Sequence, residues 1–263
     1  MKNSIKIPSA LKKVLADNNS GSRELLSKLN SFLLKDPGSF PFPLKYIPLL
    51  KKELSLFQGI VAYLVTLEKI KDKDSYIKFL TNWNLLEELA YLRIDSKLFP
   101  LIKNHSRILT FSNSKTVYKV LSQFKRENKK LTVIIAESRP VNEGRILAKL
   151  LAKEKIKVEL ITEAMLPEFI EKCDSVILGA DRILKNGDVV NKTGSRMIAI
   201  LCKEFKKPLY VVCDKTKQSA KNTFIKENKP SIEVWNTKDP LINVNNFYFE
   251  RVEKKYITKV ITD

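Results

Sequence analysis

The sequence of 263 residues predicts an α/β protein: a helical N-terminal domain over residues 1–104, followed by a doubly wound parallel sheet over residues 105–263. Three observations point there. Ahead of residue 104, apolar side chains recur every three to four positions, the period of one helix face. From Arg107 onward, short apolar runs alternate with helical patterns. Parallel strands and their crossover helices read this way when a sheet is covered on both faces. A polar block at 179–195 then separates one apolar run from the next helical pattern, where α/β sheets carry functional groups.

The first predicted helix spans residues 23–34 and stops before the breaker Asp36-Pro37-Gly38. Pro41, Pro43 and Pro48 mark an irregular stretch. Helical patterns follow at 49–68, from Tyr76 onward and at 85–92, and Pro100 falls after the last of them. The predicted strands are 108–111, 133–136, 158–161, 176–178 and 209–212, with helices at 117–124, 146–151, 166–170 and 197–205 between them. Right-handed crossovers put all the strand C-termini on one edge. The result is a Rossmann-like domain in which Ser112, Arg139 and Asp181, the residues after the first, second and fourth strands, converge.

The apolar fraction of 44% is that of a globular chain. No apolar run approaches the roughly 18 residues of a membrane span, and the first residues lack the apolar stretch of a secretory signal. Cytoplasmic residence without membrane association is therefore expected. Cys173, Cys202 and Cys213 are spaced unlike a zinc site and read as reduced, buried thiols. The single histidine, His105, has no evident nucleophile or metal partner in the sequence around it, and no cofactor is expected. The net charge of +19 attracts nucleic acid, acidic protein or phosphorylated small molecules. The basic stretches at 125–130 and 215–229 lack the aromatic pattern of a base-stacking platform and read as solvated faces.

Several residue types on the predicted edge suit an anionic ligand. Ser112, Asn113 and Ser114 follow the first strand, where hydroxyls cap a helix and backbone N–H groups hold phosphate; Ser112 itself reads first as a cap. Arg139 and Arg145 offer planar guanidinium forks matched to phosphate or carboxylate, with local carboxylate pairing as the alternative. Asp181 is a carboxylate just past a buried strand, suited to proton transfer or to holding a loop. Asn191 and Lys192 are expected at the entrance of the following helix, where the dipole favours anions.

The block Gly179-Ala180-Asp181-Arg182-Ile183, a short spacer, Asn186-Gly187-Asp188-Val189-Val190-Asn191-Lys192 and Gly194-Ser195 resembles the signature shared by two groups. These are the regulatory subunits (alpha, beta and delta) of translation initiation factor 2B and the related isomerases of ribose 1,5-bisphosphate and methylthioribose 1-phosphate. Glu137-Ser138-Arg139-Pro140 resembles that family's Glu-Thr-Arg-Pro loop. Gly21, in Ser20-Gly21-Ser22-Arg23, resembles its N-terminal phosphate-contacting turn, although an ordinary helix start explains it equally. The resemblance implies that Asp181 matches the isomerases' catalytic acid/base. It also implies that Thr110-Phe111-Ser112-Asn113 stands where they carry Thr-His-Cys-Asn, so that Phe111 replaces the histidine and Ser112 the proton-transferring cysteine. A serine hydroxyl is a far weaker acid than a thiol. Two functions follow as expectations. One is a non-catalytic regulatory subunit that self-associates through its C-terminal domain as a homodimer or higher oligomer, contacts translation initiation factor 2 and senses a nucleotide or sugar phosphate. The other is a sugar-phosphate isomerase using Asp181 with Ser112 or water.

Overall fold

The computed structural model describes residues 7–17, 20–35 and 40–263; the breaker expected at 36–38 lies outside them. The N-terminal part is built from α1 (Ser9–Leu15), α2 (Ser22–Leu34), α3 (Ile47–Glu53), α4 (Gln58–Lys69) and α5 (Lys73–Leu98). The single pattern expected over 49–68 is divided between α3 and α4, and the two patterns expected after it are one helix of 26 residues. Asp72 starts that helix, its carboxylate accepting the Ser75 amide at 2.8 Å as an N-cap.

The long helix belongs to two cores. Its first half packs Tyr76, Leu80 and Trp83 against Leu25, Leu29, Tyr63 and Leu64. Its second half sends Ile94 and Leu98 in among Ile108, Val117, Val133 and Ile177 of the α/β part. Leu85, Leu86, Leu89 and Leu92, which carry the pattern at 85–92, face solvent instead.

The α/β part contains β1 (Arg107–Phe111), α6 (Lys115–Arg126), β2 (Thr132–Ala136), α7 (Glu143–Lys153), β3 (Lys157–Ile161), α8 (Leu166–Lys172) and β4 (Ser175–Leu178). The chain continues through β5 (Arg182–Ile183), β6 (Val189–Lys192), α9 (Ser195–Glu204), β7 (Leu209–Val212), β8 (Phe249–Val252) and β9 (Lys259–Ile261). The five expected strands are joined by β9 in one six-stranded sheet of order β3-β2-β1-β4-β7-β9, parallel throughout. Its central strands are buried on both faces, as their unbroken apolar runs require. The strand order reverses between β1 and β4, so the crevice at their C-terminal ends is the topological switch point where such sheets bind ligands.

The block at 179–195 corrects the expected strand, loop and helix. It contains a β5–β6 hairpin that pairs onward with β8 as a small antiparallel sheet. Asn191 and Lys192 therefore lie on β6 and not at a helix entrance. The N-terminus of α9 is filled from within: Glu250 Oε1 accepts the Gly194 and Arg196 amides at 2.6 and 2.8 Å, so an internal carboxylate meets the dipole. Among the described residues no helix is long and apolar enough to cross a membrane.

Candidate functional site

The switch point opens into a cavity of about 200 Å³. The turn after β1 forms one wall. Ser112 has a φ of 63°, an uncommon conformation for a residue with a side chain and one that concentrates at functional turns. Its amide donates to Ser138 Oγ at 2.8 Å, and Ser138, after β2, has a φ of 65°. The two strand ends are thus laced together. Ser114, not Ser112, caps α6, its Oγ accepting the Val117 amide at 3.3 Å.

The start of α2 forms the second wall. Gly21 lies so close to this turn that a Cβ on it would sit 2.6 Å from the Asn113 carbonyl oxygen. The residue that reads as an ordinary helix start is a close-approach glycine joining the helical part to β1. Two residues on, Arg23 is buried and donates from Nε and Nη2 to Asp214 Oδ2 at 2.9 and 2.8 Å. Its Nη1 makes no hydrogen bond and lies 3.7 Å from Glu87 Oε1. Glu87 also accepts from Lys115 Nζ at 2.7 Å. Burial alone pushes the Asp214 carboxyl up, but Arg23 and then Lys217 outweigh it and hold the group below its ordinary 3.8.

The third wall follows β4. Asp181 lies 3.7 Å from Lys217 Nζ. Lys217 is buried, donates to the Ala180 carbonyl at 2.7 Å and bonds Ser22 Oγ closely. Asn191 Nδ2 donates to Ser195 Oγ at 2.9 Å. Lys192 is paired with Glu143 at the start of α7, and its ammonium sits 4.2 Å from the centre of the Tyr248 ring, a cation–π arrangement.

Of the sequence candidates, Gly21, Ser112, Asn113, Asp181, Asn191 and Lys192 line this one cavity. Arg139 and Arg145 are not among its lining residues. Arg145 is exposed and held by Glu137 Oε2 at 2.6 Å from Nη2. Arg139 is exposed, with Nη2 3.5 Å from the Val234 carbonyl. Among the described residues, the cations that do line the cavity are Arg23, Lys115, Lys192, Lys217 and Lys229, of which only Lys192 belongs to a sequence motif. Lys217 sits in a basic stretch that reads as solvated, and Arg23 in an ordinary amphipathic helix. Only the serine–glycine turn at 20–22 signalled that α2 begins at the site. Glu143 carries no sequence signal of its own beside Arg145.

No thiol reaches the cavity lining. Cys173, Cys202 and Cys213 are buried, and burial pushes their pKa values up to about 11, 12 and 12. Phe111, where the resemblance implies a histidine, is buried against Gly194. The site thus combines five cations with carboxylates and hydroxyls in a partly enclosed space, a composition suited to holding a phosphorylated ligand.

The sequence model of the initiation factor 2 subunit family, IF-2B, matches residues 75–263. The chain belongs to this family. Among curated relatives it is 38% identical over 167 residues to a Pyrococcus furiosus protein named translation initiation factor eIF-2B subunit 2-like, a match covering 62% of this chain and 58% of the relative. It is 33% identical over 168 residues to the ribose 1,5-bisphosphate isomerase of Methanocaldococcus jannaschii, covering 62% and 54%. The chain thus matches little more than half the length of these relatives. The crystal structure of Pyrococcus horikoshii translation initiation factor eIF-2B superposes with a TM-score of 0.83 at 24% identity, over 97% of this chain and 96% of that one, a likeness of fold. The IF-2B family therefore holds both initiation-factor subunits and sugar-phosphate isomerases among this chain's relatives.

Proposed function

We propose that this chain is a non-catalytic regulatory subunit of the translation initiation factor 2B alpha type. In this reading it binds a phosphorylated small molecule, a nucleotide or sugar phosphate, in the cavity at the β1–β4 crevice. One observation carries the reading: the cavity retains Asp181, Asn191 and Lys192 with buried cations around them, while Ser112 and Phe111 stand at the turn for which the resemblance implies cysteine and histidine, and no cysteine lines the space. Binding groups are kept and the proton-transfer pair is incomplete. Losing one of two such groups removes about 10²–10⁴-fold of rate. The proposal extends to self-association through the α/β part and to contact with translation initiation factor 2. The test is incubation of the protein with ribose 1,5-bisphosphate and with methylthioribose 1-phosphate, alongside thermal-shift titration with the same compounds and with nucleotides. Ligand-dependent stabilisation without turnover is the expected result, and initiation factor 2 is expected to be retained on the immobilised protein at physiological salt.

A second reading, a sugar-phosphate isomerase, is favoured by the placement of Asp181 in the same cavity as Lys192 and Ser112. Turnover of either substrate that disappears in Asp181→Asn would establish it and overturn the first.

A further inference from the structure

The proposed ligand is an anion, yet one of the cavity's lysines already holds one. Lys192 on β6 is paired with Glu143 at the first position of α7, and the two side chains are only 9% and 4% exposed. Glu143 Oε1 takes the ammonium. Glu143 Oε2 is buried and makes no hydrogen bond. The charged and titratable groups facing this carboxylate are Lys192 from β6, Asp181 from the turn after β4, and Tyr248 from the segment before β8. The Tyr248 hydroxyl is directed to Glu233, at 2.6 and 2.5 Å from its two oxygens, so it is engaged away from Glu143.

A phosphate oxygen approaching Lys192 therefore meets two carboxylates, Glu143 and Asp181, in the same lining. If it takes the ammonium, it leaves Glu143 buried beside a second negative charge, and burial without a counter-ion drives a carboxyl toward its neutral form. We propose that Glu143 determines which charge the cavity accepts: it is the resident counter-ion of Lys192, and a phosphate-bearing ligand displaces it only as Glu143 takes up one proton from solvent. The inference rests on the phosphorylated-ligand reading above. Once protonated, Glu143 changes from an acceptor that repels the ligand to an O–H that donates to it. The direction of its titration fits this: burial pushes the carboxyl above its ordinary 4.5 despite the opposing pull of Lys192, and Asp181 adds to the rise.

Sulfate is the suitable probe because, unlike phosphate, it stays a dianion between about pH 5 and 8, so any pH dependence belongs to the protein. Calorimetric titration of the wild-type protein in two buffers of different ionisation heat is expected to show about one proton taken up per sulfate near neutral pH. Affinity is expected to rise by up to about tenfold per pH unit as pH falls. Glu143→Gln is expected to bind sulfate at least about tenfold more tightly at pH 7.5, with a flat pH profile. Glu159→Gln, which removes a carboxylate from a surface pair with Arg107, controls for net charge and is expected to behave as wild type. The proton count needs only the wild-type protein, so the test survives poor folding of the variant. Sulfate binding by both proteins with no proton uptake and equal affinity would overturn the role of Glu143 and leave the ligand reading standing. No binding by either protein across the range would remove both.

Discussion

Gly144 shows how little room the site's framework leaves. A Cβ there would lie 2.0 Å from the Ala136 carbonyl oxygen, because the first turn of α7 crosses directly over the end of β2. The obstacle is backbone in a central strand, so it cannot move aside as a side chain would. Gly144→Ala is therefore expected to destabilise the fold by about 1–3 kcal/mol, which thermal unfolding would register as a fall of about 2–12 °C. Ser112 and Phe111 carry the residue-scale prediction for function. Ser112→Cys restores a thiol at the turn but leaves Phe111 buried against Gly194. On the regulatory reading, Ser112→Cys is expected to show no efficient isomerisation of ribose 1,5-bisphosphate, and rapid turnover by this single variant would contradict it.

Among the elements, α2 and the loop after β7 are joined by the buried Arg23–Asp214 pair. Removing one partner of such a pair leaves an uncompensated charge inside, so Asp214→Asn is expected to cost about 3–5 kcal/mol in a denaturant titration. The pair also fixes a pH dependence. Asp214 titrates below its ordinary 3.8 in the folded chain, as does Asp188, where burial opposes but the Lys254 amide, Asn186 and Arg251 prevail. A depressed carboxylate contributes its full stabilisation above the unfolded value and loses it as pH falls through the folded one. The helical and α/β parts are thus expected to lose stability together below about pH 4, and Asp214→Asn is expected to flatten that acid limb. The same pair shows what the sequence made legible. Strands β1, β2 and β4 were readable because a strand buried on both faces writes an unbroken apolar run. Strand β9 is only three residues long with an exposed lysine, and β5 is shorter still, so neither leaves a periodic trace. At the site, Asp181, Asn191 and Lys192 were legible because they lie close together in the sequence. Arg23 and Lys217 were not, since their partners Asp214 and Ser22 are 191 and 195 residues away and no local pattern records a contact at that separation.

For the whole molecule, the net charge of +19 opposes association of two copies, because like fields repel. The proposed self-association therefore needs an apolar surface in the α/β part, and residues 221–247 present one. Apart from a short turn at Ser231–Glu233, the segment forms no regular helix or strand, and it exposes Ile225 at 79%, Trp235 at 56% and Leu241 at 93%. Burial of large apolar side chains contributes about 25 cal/mol per Å² and is not weakened by salt, whereas repulsion between the basic surfaces is screened as the Debye length shortens from about 30 Å at 0.01 M to about 8 Å at 0.15 M. Association is accordingly expected to strengthen as salt is raised, the opposite of anion binding in the cavity, which added salt weakens. Sedimentation velocity across that range should show the oligomer fraction increasing with salt for the wild-type chain. Trp235→Asp combined with Leu241→Asp should remain monomeric throughout, with sulfate binding at the cavity unchanged. An oligomer that instead dissolves as salt rises would place its contacts among the charged residues and remove the apolar segment from the interface.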